Sequence, residues 1–508
     1  MAADLFAEVK KILDNAKSVT ENGAVGYQTT GKALLDMNYK VSSYRNRSES
    51  EILGDFIKAL AEDPVLALKW AFYVGDIREG LGERRLFRIL IKYILQSRKD
   101  LIKYVSEFNR FDSLFVLFDT DAESDMIDFV KNQLSADMKA CASGQSVSLL
   151  AKWMPSINTS SEQTKALARR FIAALGVNDK QYRKMLSKLR SKIDVTEIKM
   201  CSGDWDKIDY QKVPSKANLN YKDAFLRHDE ARRREFLSKL EKGEAKINSA
   251  VNFPHEILYK YRYQRTQNWK KDVALEQMWK ALPNTVGDKP VIVVRDGSGS
   301  MGSLVGGSNV SALDVATALA IYFAERLPEG PYKDKFITFS MKPRFVNLSG
   351  LKDLKDKIQL AWRESECANT NVEAVFDLLL EAAKNGHIAQ KDIPTVLILS
   401  DMEFDTCACS NSIRGNGWWT SAMNKSEQKT LFENIAAKWK RAGYVLPKCV
   451  FWNICGRTDT IPVKENEAGV ALVSGFSVNT AKMVMSNKLD PYEILKETLN
   501  APRYDVIK

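Results

Sequence analysis

Histidine is scarce in this chain of 508 residues, with three copies at His228, His255 and His387. None of them lies in a motif for a nucleophile and its base, and the sequence has neither G-x-S-x-G nor a P-loop. The longest apolar runs, such as Thr395 to Ser400, are only long enough for a strand, which argues against a membrane span. Met1 to Lys17 carries acids and a helical pattern rather than a signal peptide, so we expect a cytoplasmic protein.

Cysteine is infrequent too, and its spacing does not predict a disulfide framework. The seven cysteines are an odd number scattered along a long chain, which favours a reducing compartment. A zinc site from Cys407, Cys409, Cys449 and Cys455 is one hypothesis, but C-x₂₋₄-C pairs and a nearby histidine are missing. Buried free thiols are the preferred interpretation.

The positive charge is concentrated in one part of the chain. The formal net charge is +11, and residues 151–280 hold 28 Lys and Arg against 16 Asp and Glu. Residues 101–150 are acidic, with 4 against 8. Such asymmetry predicts an anionic partner, with nucleic acid as the first hypothesis.

The hydrophobic periodicity changes once, near residues 285–289. Before that point the pattern is helical, with helices predicted near 122–140, 146–153, 161–175, 179–193 and 221–242. After it, the segments VIVVR, KFITFS, TVLILS and KCVFWNI predict buried strands, with helices at 311–327, 351–362, 372–385 and 427–442 between them. Such alternation predicts a mostly parallel sheet. We therefore predict two domains, 1–287 helical and 288–508 α/β.

The segment VIVVRDGSGSMGS, from Val291 to Ser303, has two interpretations. Its glycines spell G-x-G-x-x-G, as in a dinucleotide-binding loop, but the helical pattern resumes only near Ser311 and Asp296 would repel a phosphate. Alternatively, Asp296, Ser298 and Ser300 supply oxygen ligands to a metal ion. The second interpretation fits the sequence better.

Two more oxygen donors follow other predicted elements. Asp401 comes directly after the strand TVLILS, and Thr370 lies in a loop before a helix. Because ligands gather at the carboxyl ends of parallel strands, we expect these side chains to lie near Asp296. Carboxylates, hydroxyls and water suit Mg²⁺ or another divalent cation, with a position left for a partner's carboxylate.

Asp296-x-Ser298-x-Ser300 with Thr370 and Asp401 resembles the metal-ion-dependent adhesion site of von Willebrand factor A domains. The helical half is similar to TROVE-containing Ro proteins, and to an uncharacterised TROVE-like family, in DIREGLGERRLF, KWMPSINTSS, YRKMLSKLR and AFLRHDEARRREF. These resemblances imply an α + α/β protein. Its helical part would be a HEAT-like array that can close into a ring, and its second part a doubly wound α/β domain of the von Willebrand A type. They also imply binding of single-stranded or structured RNA.

Basic residues cluster at four places in the helical half, and Lys and Arg neutralise phosphates without specifying sequence. In the last cluster, tyrosines alternate with the cations and are predicted to stack unpaired bases. The predicted RNA-binding residues are Arg84, Arg85, Arg183, Lys184, Lys188, Arg232, Arg233, Arg234, Arg262 and Arg265.

The sequence thus predicts a non-enzymatic, RNA-binding ribonucleoprotein subunit that carries Mg²⁺ at an adhesion-type site. The alternative is an assembly scaffold without RNA, which uses the metal to bind an acidic protein partner. A metal-dependent phosphoesterase, with Glu403 or Asp405 as a base, is a weaker hypothesis.

Overall fold

The computed structural model describes residues 17–20, 25–263, 270–306, 308–339, 343–364, 371–404, 431–456, 461, 470–480 and 490–508. Contacts divide the chain into two compact units. The sheet unit comprises the described residues of 1–67 and 252–505, and the helical unit comprises 68–251 and 506–508. No helix in the described ranges combines the length and hydrophobicity that a bilayer crossing needs.

Helices dominate the chain before residue 290, apart from a short antiparallel hairpin of β1 (Lys17–Val19) and β2 (Val25–Tyr27). In chain order they are α1 (Ala33–Tyr39), α2 (Glu49–Glu62), α3 (Pro64–Gly75), α4 (Arg84–Ser97), α5 (Val105–Phe108), α6 (Glu123–Ala142), α7 (Leu150–Trp153), α8 (Glu162–Leu175), α9 (Asp179–Ile193), α10 (Thr196–Ser202), α11 (Ser215–His228), α12 (Glu230–Glu241), α13 (Pro254–Arg262) and α14 (Val273–Lys280). The helices predicted between residues 122 and 193 are confirmed, although α7 begins later than predicted.

Helix α9 shows why these segments are helical. Asn178 and Gln181 form a capping box at its start, each side chain bonded to the other's backbone N–H at 2.9 Å. Tyr182, Leu186 and Leu189 recur at the spacing of one helical face and are buried. Six of the other twelve positions are basic, and five of those six are exposed.

One predicted helix, 221–242, is instead two helices that meet at Asp229. The backbone of Asp229 leaves the helical region (φ −145°, ψ 50°), while its carboxylate accepts hydrogen bonds from Tyr210 Oη at 2.8 Å and Arg232 Nη1 at 2.9 Å. Tyr210 contacts the break from far away in the sequence, so local periodicity does not reveal this contact.

Among the described residues, the larger sheet has six strands: β3 (Val291–Asp296), β4 (Lys335–Phe339), β5 (Arg344–Asn347), β6 (Thr395–Ser400), β7 (Cys449–Asn453) and β8 (Val470–Ser474). Their order is β5-β4-β3-β6-β7-β8, and only the β4–β5 pair is antiparallel. The helices after β3 are α15 (Ala312–Arg326), α16 (Leu354–Arg363), α17 (Val372–Asn385), α18 (Leu431–Arg441) and α19 (Pro491–Leu499). The expected helical region followed by a mostly parallel sheet with helices is therefore confirmed, and β5 and β8 are strands that were not predicted.

The strand order reverses between β3 and β6, because the chain adds β4 on one side of β3 and β6 on the other. In open α/β sheets, the carboxyl ends of the strands at such a switch point form the usual ligand crevice. Asp296 and Ser400 end these two strands, and the register pairs Arg295 with Leu399 just before them.

The sheet unit also contains residues that the sequence assigned to the helical domain. Helix α1 packs against β8, and the segment after it meets the ends of β7 and β8. Ser474 Oγ donates to Ser42 Oγ at 3.0 Å, and Asn453 Nδ2 donates to the Tyr39 carbonyl at 3.1 Å. The predicted boundary at 287 marks the change in periodicity, whereas the compact units begin and end elsewhere.

Candidate functional sites

Asp296 lies at the switch point with both carboxylate oxygens engaged. Its Oδ1 accepts the Ser298 backbone N–H at 2.8 Å, and its Oδ2 accepts the Ser400 hydroxyl at 2.6 Å. The hydroxyls of Ser298 and Ser300 lie 3.0 Å apart. The structure thus brings together three of the five predicted metal ligands. Ser400 was not predicted, although its place at the end of TVLILS, beside Asp401, was a signal for it.

Burial sets the electrostatics of this carboxylate. The pKa of Asp296 is raised by burial, and the hydrogen bonds from Ser400 and Ser298 oppose that rise. The neighbouring Arg295 is buried as well, and burial lowers its pKa to about 10. Its Nη1 donates to Thr317 Oγ1 at 3.0 Å and to the Ala361 carbonyl at 3.1 Å. The positive charge of Arg295 also lowers the pKa of Asp296, by less than the hydrogen bonds do.

The turn after β6 carries two further buried carboxylates, Asp401 and Glu403, each 1% exposed. The Glu403 backbone N–H donates to Asp401 Oδ1 at 3.3 Å, and Met402 between them has a left-handed backbone with φ 64°. A non-glycine residue in that region costs about 1 kcal/mol or more. The Met402 N–H donates to Ser400 Oγ at 2.9 Å, which helps to hold the turn. The predicted ligand Thr370 lies outside the described residues.

The donors near Asp296 are compatible with a small divalent cation. Across the described ranges, no group of three or more His, Cys, Asp and Glu side chains is placed to hold a metal. A metal here would therefore depend on hydroxyls and water as well as carboxylate, a set that Mg²⁺ accepts. Neighbouring ligands of octahedral Mg²⁺ lie about 2.9 Å apart, close to the Ser298–Ser300 separation, which also suits a hydrogen bond between the two hydroxyls. The residues fit the metal.

The cysteines that the structure describes are free thiols. Cys141, Cys449 and Cys455 are buried and Cys201 is exposed, and burial raises the pKa of Cys449. Cys407 and Cys409, the closest pair in the zinc hypothesis, lie outside the described residues.

Residues near the start of the chain also reach the carboxyl edge of the sheet. Thr20 Oγ1 donates to the Phe404 carbonyl at 2.6 Å, directly after the turn that holds Asp401 and Glu403. Arg45 lies 4.1 Å from the ring of Phe476 and against Gly306, in the loop that follows the Asp296 motif. These contacts were not predicted, because the sequence offers no local signal for them.

The arginine cluster of α12 has little charge to offer a phosphate. Arg233 is fully buried against Tyr210, Phe225 and Phe236, so it is not on the surface where it was predicted. Arg232 donates to Asp229 and to the carbonyls of Trp205 and Ile208 at 2.7–2.9 Å. Arg234 is exposed and paired with Glu230 at 2.8 Å.

Three of the other predicted arginines, Arg84, Arg85 and Arg262, also have partners. Arg84 and Arg85 are exposed in the first turn of α4, and each is engaged in an interaction of its own. Arg262 Nη1 donates to the buried Asp314 at 2.6 Å, and its guanidinium lies 3.8 Å from the ring of Trp362. Arg265 lies outside the described residues.

The aromatic residues around Arg262 divide between core and surface. Tyr261 is buried and donates to Glu276 at 2.6 Å, as expected of a core residue rather than of a base platform. The rings of Tyr259 and Tyr263 lie 4.4 Å apart, and Tyr263 is exposed.

Five basic residues of helix α9 differ from the basic residues described above, because their side chains have no partners among the described residues. Its cations Lys180, Arg183, Lys184, Lys188 and Lys192 are exposed. In the part of the chain that the structure describes, none of their side chains forms an ion pair or a hydrogen bond with another residue. Lys180 was not predicted. The signal for it was that α9 contains no acid after Asp179.

Comparisons with known proteins match most of the chain to proteins without an assigned function. Residues 290–501 match the family described as a domain of unknown function, DUF7788, and residues 117–289 match another, DUF2828. The chain is 29% identical over 545 aligned positions to the "Uncharacterized protein L728" of Acanthamoeba polyphaga mimivirus, covering 96% of this chain and 90% of that protein.

Among solved structures, the crystal structure of the Deinococcus radiodurans RO (RSR) protein aligns with a TM-score of 0.44 and 13% identity. The alignment covers 87% of this chain and 92% of the other.

Proposed function

We propose that the protein binds RNA through the exposed face of α9 in the helical unit. The single observation that carries this proposal is the set of five exposed cations on α9 that no carboxylate of the described residues neutralises. When such cations bind the phosphates of RNA, counterions condensed on the RNA are released, and this release favours binding. A cation that is already paired with a carboxylate contributes less to the affinity. We expect a binding role without catalysis, as a subunit of a ribonucleoprotein.

The geometry of α9 suits a polyanion better than a small anion. Lys180, Lys184, Lys188 and Lys192 recur every four residues, so they follow one side of the helix over about 18 Å. Arg183 stands beside this row. A row of that length can contact several successive phosphates, which a single small anion cannot.

The direct test is a titration of the full chain with a labelled, unstructured RNA oligonucleotide, followed by fluorescence anisotropy at several salt concentrations. We expect log affinity to fall linearly with log salt, with a slope of about −3, as for four or five phosphate contacts on a single strand. Absence of binding at low salt would overturn the proposal. Affinity that does not change with salt would overturn the electrostatic mechanism.

A second candidate function is metal-dependent capture of an acidic protein partner at the switch point. It is favoured by the buried carboxylate of Asp296 beside the two hydroxyls of Ser298 and Ser300. These residues would hold Mg²⁺, with Asp401 and the predicted Thr370 completing the set. A bound divalent cation supplies a coordination position that a partner's carboxylate can take. The two functions can coexist, because they use different units.

Thermal unfolding with and without Mg²⁺ tests this second candidate. At saturating Mg²⁺ we expect the wild-type transition of the sheet unit to rise by about 5 °C, because only the folded state binds the ion. Asp296→Asn should abolish the rise, and Ser303→Ala, in the same loop, should keep it. A rise that survives in Asp296→Asn would locate the metal elsewhere, and no rise in the wild type would refute the site.

A further inference from the structure

The row of cations on α9 borders a preformed cavity. The cavity has a volume of about 260 Å³ and lies between α9, the start of α10 and the segment after α7. Its lining residues are Ser156, Ile157, Asn158, Tyr182, Arg183, Leu186, Ser187, Arg190 and Ile198. All of them belong to the helical unit. Arg183 is a predicted RNA-binding residue, and the other lining residues were not predicted.

Hydrogen bonds within the helical unit fix the walls of the cavity. Arg190, which is half-buried, donates through Nε to the Ala151 carbonyl at 2.8 Å, through Nη1 to Ser156 Oγ at 2.9 Å and through Nη2 to the Met154 carbonyl at 2.7 Å. Tyr182 is fully buried and donates to the Pro155 carbonyl at 2.9 Å. These bonds tie residues 151–156 to α9 before any ligand arrives, which lowers the conformational cost of binding.

The lining combines an apolar slot with a few polar groups. Ile157, Leu186 and Ile198 give apolar surface, and Ile198 is 46% exposed. Ser187 and Asn158 lie on the exposed side with hydroxyl and amide groups that can donate or accept. A planar, apolar-faced ring with polar edges fits such a lining, and the volume is below the usual 300–1,000 Å³ of pockets for larger ligands.

The cavity and the row of cations share one helix. Arg183, Ser187 and Arg190 lie three or four residues apart and form the side of α9 that faces the cavity. Lys180, Lys184 and Lys188 follow the adjacent side. An RNA strand whose phosphates follow these lysines would therefore pass the mouth of the cavity with its bases on the cavity side.

We propose that this cavity binds one unpaired base of an RNA strand whose phosphates contact the lysines of α9. The inference rests on the proposed RNA-binding function and adds a preference for single-stranded segments, because a base inside a duplex cannot leave its partner without a penalty. An acidic protein segment would satisfy the lysines as well, but it offers a planar ring only where an aromatic residue occurs, whereas every nucleotide of an RNA strand carries a planar base with polar edges beside its phosphate.

The test compares two RNA probes on two matched variants of the full chain. Ser187→Phe fills the mouth of the cavity, and Ser191→Phe places the same side chain one turn further on, at another exposed position of α9. We expect Ser187→Phe to weaken binding of an unstructured oligonucleotide about tenfold and to change binding of a blunt-ended duplex less than about twofold. Ser191→Phe should have little effect on either probe.

The outcomes separate the two proposals. Wild-type protein that binds neither RNA at low salt refutes the RNA-binding function, and binding of polyglutamate in its place would favour an acidic protein partner. If the wild type binds RNA but Ser187→Phe weakens both probes equally or neither, the cavity proposal alone fails. A second measurement does not depend on the variants: a 4-thiouridine oligonucleotide should photocrosslink to residues 156–158 or 183–190, and crosslinks only elsewhere would contradict the cavity.

Discussion

Helices α9 and α12 have similar basic sequences but present different surfaces. Helix α9 contains six Lys and Arg residues and one acidic residue. Five of the six basic residues are exposed and form no ion pairs among the described residues. Helix α12 contains four basic residues and three acidic residues. There Arg233 is buried, Arg232 is bonded to Asp229 and two backbone carbonyls, and Arg234 is paired with Glu230. The number of basic residues in a helix therefore does not measure the charge it can offer to a partner.

The two helices differ because their basic residues lie at different positions relative to acidic residues. Glu230 and Glu235 lie four residues before Arg234 and Lys239, the spacing at which carboxylate and cation meet on one helix face. In α9 the only acid, Asp179, is in the first turn, where its negative charge interacts favourably with the helix dipole. The four lysines of α9 have no acid three or four residues away within the helix. Arg183 does lie four residues after Asp179, but the two side chains form no ion pair in the described part of the chain.

The largest effect is expected from the buried member of the α12 cluster. Arg233→Ala leaves a cavity among three aromatic rings and removes the hydrogen bond to Asn218, so it should destabilise the helical unit by about 3 kcal/mol. Urea unfolding measures this, with Arg234→Ala as the matched exposed control, expected to cost less than about 0.5 kcal/mol. Equal losses for the two variants would contradict the burial of Arg233.

A smaller stability effect is expected at Arg262, which was predicted to bind RNA. Arg262→Gln leaves the buried Asp314 carboxylate without its cation, although Ser311 still donates to it. The loss should be about 2 kcal/mol in the sheet unit, since Arg262 itself is partly exposed. Thermal unfolding gives the value, Arg262→Lys serves as the charge-conserving control, and RNA affinity should stay unchanged. A variant with wild-type stability and weak RNA binding would restore the original prediction.

The smallest effect comes from making α12 resemble α9. Replacing both Glu230 and Glu235 by Gln releases Arg234 and Lys239 from their ion pairs. Since exposed pairs contribute only about 0.2–1 kcal/mol, RNA affinity should rise by about twofold or less in the anisotropy titration. A gain of tenfold or more would mean that α12 already lies on the RNA path.

Much of the fold is predictable from periodicity, because the buried strands and α9 depend on local patterns. The strands VIVVR and TVLILS and the capping box of α9 need no distant residue to be recognised. By contrast, the break at Asp229 is bonded to Tyr210, and residues 39–42 are bonded to Ser474 and Asn453 on the sheet edge, contacts between residues distant in the sequence. Interactions between distant parts of the chain leave no mark in local sequence.

The candidate sites also contain some residues that local sequence predicts and others that depend on distant parts of the chain. Asp296, Ser298 and Ser300 are predictable, because one short loop carries all three. Ser400 is harder to predict, since its role depends on the β3–β6 register. For the RNA-binding residues, sequence identifies the cations, but only the structure distinguishes Lys184 and Lys188, which lie exposed without ion pairs among the described residues, from Arg233 in the core.

The most direct measurement compares charge reversal on the two helices. Lys184→Glu with Lys188→Glu and, separately, Arg234→Glu with Lys239→Glu change the net charge equally, and both pairs are exposed. Anisotropy with an unstructured RNA at low salt gives the affinities, and circular dichroism confirms that both variants are folded. We predict a loss on the order of 30-fold or more for the α9 variant and less than about threefold for the α12 variant. Equal losses, or the larger loss on α12, would contradict the conclusion that the unpaired cations of α9 form the RNA-binding surface.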